Sequence, residues 1–130
     1  MNSTRSILGT VGEAMTPGVL TCTPDTELRD VARMMARYHV HAIVVFGPDQ
    51  LDAWGVLSDL DLVGAIGTVS DAGTIAVSPV VTVTPDATLV DAARLMEENQ
   101  SHHLLVTSEG GLPVGVISTL DVARAFAGDV

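Results

Sequence analysis

A mixed α/β fold built from two copies of one small β-α-β-β-α unit is what this 130-residue sequence predicts. Three observations carry that prediction. A stretch of the chain recurs after about sixty residues, the size at which a repeat is one supersecondary unit. Within each copy, short β-rich apolar runs alternate with apolar residues at helical spacing. Hydrophobic residues make up 47% of the chain and the mean hydropathy is +0.40, enough to supply a packed core at this length.

Taken in order, Thr10 to Met15 reads as a short helical lead-in, broken at Thr16-Pro17-Gly18. Val19-Leu20-Thr21-Cys22 is a short strand. Thr23-Pro24-Asp25-Thr26 has helix-start chemistry, with proline tolerated in the first turn and Asp25 or Thr26 as the cap. Leu28, Val31, Ala32, Met35 and Tyr38 follow at i, i+3, i+4, i+7 and i+10, one apolar helix face. Arg29, Asp30, Arg33 and Arg37 lie mostly off that face and read as solvated. Ala42-Ile43-Val44-Val45-Phe46 is a wholly apolar strand, turned at Gly47-Pro48-Asp49, and Ala53-Trp54-Gly55-Val56-Leu57 returns as its hairpin partner. A helix then runs from Ser58 through Leu62, Val63 and Ile66 until Gly67. The small, polar stretch Thr68 to Ser78 serves as a connector.

The pattern then repeats. Val80-Val81-Thr82-Val83-Thr84-Pro85-Asp86 aligns with Val19-Leu20-Thr21-Cys22-Thr23-Pro24-Asp25, and Leu89, Ala92, Ala93 and Met96 fall on Leu28, Val31, Ala32 and Met35. Past the hairpin the offset shortens by one residue, within a turn, where length changes cost least. A repeat this small cannot bury both faces of its own sheet. The halves are therefore expected to pack through their small sheets as one pseudo-twofold module over residues 1–130. Motif 1 spans about 10–67, the connector about 68–78 and motif 2 about 79–127.

Composition excludes several classes. Sixteen acids face six bases, all arginine (Arg5, Arg29, Arg33, Arg37, Arg94, Arg124), giving a net charge of −10. Such a surface repels nucleic acid and anionic membranes, and no basic cluster with interleaved aromatics relieves it. No apolar run reaches bilayer length and the N-terminal MNSTRSILGT is no signal sequence, so the expected compartment is the cytoplasm. Cys22 is the only cysteine, which precludes an internal disulfide and reads as a small core residue.

The residues with chemistry sit at one duplicated junction. Gly55-Val56-Leu57-Ser58-Asp59-Leu60-Asp61 recurs as Gly115-Val116-Ile117-Ser118-Thr119-Leu120-Asp121, a strand running into a helix. Serine is a natural N-cap, and an acid three residues on can reach back to it in a capping box. The same geometry points backbone N–H groups and a positive dipole end outwards, which suits a phosphate. A single S-x-x-D reads as a cap alone; two copies inside a longer repeat leave both the cap and the ligand reading open.

The Gly-x-hydrophobic-Ser/Thr-x-x-Asp signature, present twice, resembles a tandem pair of CBS (cystathionine β-synthase-type) domains, a Bateman module. The resemblance implies a regulatory module that senses an adenosine-containing ligand, AMP, ADP, ATP or S-adenosylmethionine, in clefts between the two motifs. It implies phosphate contacts from Ser58 and Ser118, ribose contacts from Asp61 and Asp121, and adenine against backbone near Thr21 or Thr82 and near Ala42-Ile43 or His103-Leu104. Many members have proline where Ile43 and Leu104 stand. It also implies a homodimer through the helices, with Met34, Met35, Leu95 and Met96 as candidate faces. With no effector domain in the sequence, any regulation is expected to act on an effector protein in trans. The alternative is a ligand-free dimerisation or protein-interaction module.

The two corners are not equivalent. Asp59 adds a carboxylate beside Ser58 where the other copy has Thr119 with a neutral hydroxyl, so phosphate is expected to bind more tightly at Ser118, Thr119 and Asp121. Arg124 is expected to pair with Asp121 as an ordinary helix ion pair, the alternative being that it helps hold the phosphate. His39, His41, His102 and His103 lack a third ligand at fixed spacing, so no metal or other cofactor is expected; His41 and His102 align and could face each other. The chain has no nucleophile–base pair, phosphate-cradling glycine loop or convergent acid pair, and no enzyme activity is expected.

Overall fold

The apolar residues Ile43–Val45 and Leu104–Val106 are buried on both faces of their strands, and each strand pairs with the one that follows, which generates two small sheets. The computed structural model describes residues 9–47 and 53–128. The elements are α1 (Val11–Ala14), β1 (Thr16–Pro17), β2 (Thr21–Cys22), α2 (Leu28–Tyr38), β3 (Ala42–Phe46), β4 (Ala53–Ser58), α3 (Asp59–Gly64), α4 (Ala72–Ile75), β5 (Thr82–Val83), α5 (Leu89–Asn99), β6 (His103–Thr107), β7 (Pro113–Ser118) and α6 (Thr119–Ala127). They fall into two compact units, residues 19–80 and residues 9–18 with 81–128. The predicted mixed α/β class with two small sheets is what the chain forms. The turn expected at Pro48-Asp49 lies outside the described residues.

In the unit of residues 19–80 the strand order is β2-β3-β4, with β2 parallel and β4 antiparallel to β3. Ala42 stands opposite Ser58, and the register shifts between Val45 and Phe46. Val31, Met35, Ile43, Val45, Leu57 and Ala72 form its core. In the other unit the order is β1-β7-β6-β5, His103 stands opposite Ser118, and the register shifts between Val106 and Thr107. Its core holds Val11, Leu89, Ala92, Met96, Leu104, Val106 and Ile117. Each fully buried Leu, Ile or Val contributes about 1.5–3 kcal/mol relative to exposure.

Several elements differ from the sequence reading. Thr16-Pro17 is not merely a break: it pairs antiparallel with Val116 and Gly115 as an edge strand, where proline's missing N–H is tolerated. Thr23 to Thr26 does not cap a helix. It closes a turn (Thr26 N–H to Thr23 O, 3.1 Å), and α2 begins after Glu27, which supplies no side-chain cap. At the aligned position of the second copy, Thr88 does cap α5, accepting from the Asp91 N–H at 3.1 Å. Both long helices end on a left-handed residue, His39 and Gln100, in place of the usual glycine. Tyr38 lies off the core face and is exposed, and α3 stops at Gly64, short of Gly67.

The stretch expected as a plain connector contains α4, capped by Asp71, with Ala72 fully buried. Its Ala72 and Gly73 N–H groups donate to Thr26 O and Pro24 O, both at 2.8 Å, and Val77 exchanges hydrogen bonds with Val56 at 3.0 and 2.9 Å. The lead-in does the same in the other unit. Val11 and Gly12 donate to Ala87 O and Pro85 O (2.9 and 2.8 Å) before Thr16 reaches β7. The segment that precedes each repeat thus belongs to the unit that holds the other repeat's strands. Gly55 and Gly115 make this possible: a Cβ on Gly55 would stand 2.8 Å from Val77 O, and one on Gly115 2.6 Å from Thr16 O.

Candidate functional site

Both serine-to-aspartate corners form, with the same geometry. The Ser58 N–H donates to Asp61 Oδ2 at 2.9 Å and the Asp61 N–H donates to Ser58 Oγ at 3.1 Å. The Ser118–Asp121 pair shows the same two distances. These are reciprocal capping boxes, so local physics accounts for the spacing of serine and acid without any ligand. A third amide is also taken: Asp59 N–H donates to His41 O and Thr119 N–H to His102 O, each at 2.9 Å. The outward N–H groups expected for a phosphate are thereby narrowed to the second helical position, Leu60 and Leu120.

Ligand chemistry remains within reach of these residues. A serine Oγ that accepts from the aspartate amide keeps its own O–H to donate, as a phosphate oxygen requires. An aspartate whose Oδ2 faces the serine keeps Oδ1 as an acceptor for a hydroxyl, a charge-assisted bond worth about 1.5–3 kcal/mol. All four side chains are half-buried.

The other candidates spread along the same strands. Thr21 and Thr82 are exposed on β2 and β5, paired with Val44 and Leu105. Ala42 and His103 are half-buried across from the two serines, and Thr119 is exposed at the start of α6. The side chains of Ile43 and Leu104 are fully buried in their own units' cores, so only their backbone is left for a ligand.

Two electrostatic expectations are corrected. Asp59 does not stand beside Ser58 without a partner: its Oδ2 lies 2.9 Å from His41 Nδ1. The sequence carried a signal for this contact, since His41 precedes the strand residue that pairs with Ser58. Arg124 does not pair with Asp121; the ion pairs among the described residues are Arg33–Asp30, Arg94–Asp91 and His41–Asp59, and Asp121 Oδ2 turns back to its cap. Elsewhere, burial pushes the half-buried Cys22 thiol up, while hydrogen bonds from Thr10 hold Glu13 below the usual carboxylate range. Among the described residues no group of three His, Cys, Asp or Glu could hold a metal ion, and no helix is long and apolar enough to cross a membrane.

The comparisons agree with this architecture. The CBS domain model matches twice, over residues 11–68 and 69–128. The chain belongs to the CBS domain family, as a tandem pair. A search of the curated proteins finds no match. Among solved structures, it is similar to CBSX2 in complex with AMP, at 26% identity and a TM-score of 0.70, covering 92% of this chain and 96% of that one. Hypoxic Response Protein I, solved with two coordinated zinc ions, is 27% identical with a TM-score of 0.69, covering 89% and 98%. The CBS domain pair of protein MJ0100, in complex with 5′-methylthioadenosine and S-adenosyl-L-methionine, has a TM-score of 0.81 at 15% identity, covering 94% and 98%, and shows shared fold alone.

Proposed function

We propose that the chain is a regulatory module that binds an adenosine-containing ligand, AMP or a relative such as ADP, ATP or S-adenosylmethionine, through the Ser58–Asp61 and Ser118–Asp121 corners, and signals to a separate effector protein without chemistry of its own. The observation that carries this reading is the duplicated corner, reproduced with identical hydrogen-bond distances in both copies. The AMP complex of a 26% identical relative supports the ligand class. The Ser118–Asp121 corner is proposed as the tighter site, since its first helical residue is the neutral Thr119 where the first copy has the carboxylate of Asp59; α6 is also longer than α3.

Thermal shift tests it. Ligand at about 100 times its dissociation constant stabilises by about 2.7 kcal/mol, several degrees for a chain of this size. AMP is expected to raise the melting temperature of the wild type and to leave an Asp61→Ala, Asp121→Ala variant unmoved from its own baseline. A flat wild-type response to AMP, ATP and S-adenosylmethionine contradicts it.

A second reading, self-association through the helices, has its own observation. The expected faces at Met35 and Met96 are buried in the cores, and Met34 and Leu95 pack against them. Leu60, Val63 and Ile66 on and after α3, and Leu120 and Phe126 on α6, are instead exposed by 53–80%. Leu60 and Ile66 recur at matched positions as Leu120 and Phe126, which favours a covered surface, and the module is proposed to be a homodimer.

A further inference from the structure

The hydrogen bonds that build the two serine corners match pair for pair, so what separates the corners is carried by their neighbours. Three differences stand out. Across the strand pair, the residue opposite Ser118 is His103, whereas the residue opposite Ser58 is Ala42. Directly opposite residues of an antiparallel pair project from the same face of the sheet, with Cβ atoms about 4.5–5.5 Å apart. A half-buried imidazole therefore stands on the serine's own side of β6 and β7, where the other unit has a methyl group. The first helical residue is Thr119 in one corner and Asp59 in the other. The helix behind Ser118 runs for nine residues and the one behind Ser58 for six.

All three act in the same direction on an anion. An imidazole has an N–H to donate in its neutral form and adds a positive charge when protonated, whereas alanine offers neither. Thr119 brings a hydroxyl to the corner, Asp59 a carboxylate. The contact of Asp59 Oδ2 with His41 Nδ1 at 2.9 Å does not cancel that carboxylate, because a hydrogen bond from a neutral imidazole leaves it its charge. The longer helix presents the fuller dipole to a phosphate. The Ser58 corner combines the carboxylates of Asp59 and Asp61 with a methyl group opposite the serine, which disfavours a dianion and suits a cationic group with carbon substituents.

We propose that the two corners sort adenosine ligands by the charge of the 5′ substituent: the Ser118 corner takes a 5′-phosphate, with the His103 side chain donating to it, and the Ser58 corner takes a 5′-sulfonium, attracted by Asp59 and packed on the methyl group of Ala42. This inference rests on the adenosine-binding reading above and adds to it a different ligand class for each corner. Discrimination here is a difference of affinities, built from an attractive group for one ligand and a repulsive one for the other. Asp59 supplies both at once, since the carboxylate that attracts the sulfonium repels the phosphate.

Exchange of these residues between the corners tests the sorting. Isothermal titration calorimetry with AMP and with S-adenosylmethionine, each alone and each after saturation with the other, is run at about pH 7.5 on the wild type, on Ala42→His, Asp59→Thr and on His103→Ala, Thr119→Asp. The wild type is expected to bind one AMP and one S-adenosylmethionine tightly per chain without competition. Ala42→His, Asp59→Thr is expected to gain a second tight AMP site and to bind S-adenosylmethionine at least about tenfold more weakly; His103→Ala, Thr119→Asp is expected to lose at least about tenfold for AMP and to gain a second tight site for S-adenosylmethionine. Both ligands competing for the same tight site in the wild type overturns the sorting, as do exchange variants that bind like the wild type, while the adenosine-binding reading stands. A wild type that binds neither ligand overturns that reading and the sorting with it. Circular dichroism verifies folding, and should an exchange variant unfold, Asp59→Asn and His103→Ala replace it, with a smaller loss expected for S-adenosylmethionine alone in the first and for AMP alone in the second; equal loss of both ligands in either overturns the sorting.

Discussion

Replacing Gly55 by alanine asks whether the signature glycine serves the fold rather than a ligand. Its backbone dihedral is not left-handed, so alanine meets no conformational penalty, only contact. The new Cβ would stand 2.8 Å from Val77 O and 3.1 Å from Ala76 Cβ, closer than such atoms normally approach. Relief requires the 76–77 segment to retreat, which lengthens the Val56–Val77 hydrogen bonds at 3.0 and 2.9 Å. Overpacking costs about 1–3 kcal/mol and each strained hydrogen bond up to about 1 kcal/mol, together about 2–4 kcal/mol. For a chain of this size that lowers the melting temperature by roughly 10 °C. Urea and thermal unfolding of the ligand-free protein measure it. Gly64→Ala is the control, with open space around its Cβ and an expected gain of up to about 1 kcal/mol in α3. Equal midpoints for wild type and Gly55→Ala would refute the close-approach reasoning.

Other substitutions probe the remaining local physics. Thr88→Ala removes the cap of α5 and is expected to cost about 1 kcal/mol in urea unfolding, whereas Glu27→Ser supplies the side-chain cap that α2 lacks and is expected to add up to about 1 kcal/mol. A drop on Glu27→Ser would contradict the assignment of that N-cap. Glu13, held below its ordinary value of 4.5 by the Thr10 hydrogen bonds, contributes stability that is complete above that pH and is lost as the pH falls through its lowered folded value. Unfolding midpoints below about pH 4.5 should therefore fall less steeply in Glu13→Gln than in the wild type.

Much of the fold was legible because its signals are local. The apolar runs at Ala42–Phe46 and the helical spacing of Leu28, Val31 and Met35 report burial directly, and all of these residues except the strand's ends and Leu28 are buried. What escaped depends on contacts distant in sequence. Thr16-Pro17 carries no strand pattern of its own and becomes one only because β7 offers it an edge. Ala72 looks like connector until Thr26 O receives its N–H. The serine and aspartate of each corner were identified, and their capping-box geometry was among the alternatives the spacing allowed. The His41–Asp59 contact was missed because its partners are 18 positions apart and meet only through the β3–β4 register.

Equilibrium dialysis with AMP addresses the corner chemistry most directly, using Asp121→Asn and Asp61→Asn. Asparagine's side-chain oxygen can still accept the serine N–H, so the cap survives while the carboxylate charge is lost. The account predicts that AMP binds the wild type, that Asp121→Asn weakens the tighter site by at least about tenfold, the worth of one charge-assisted bond, and that Asp61→Asn acts on the weaker site alone. Unchanged AMP affinity in both variants, with folding intact, would show that these carboxylates do no more than hold their own helices.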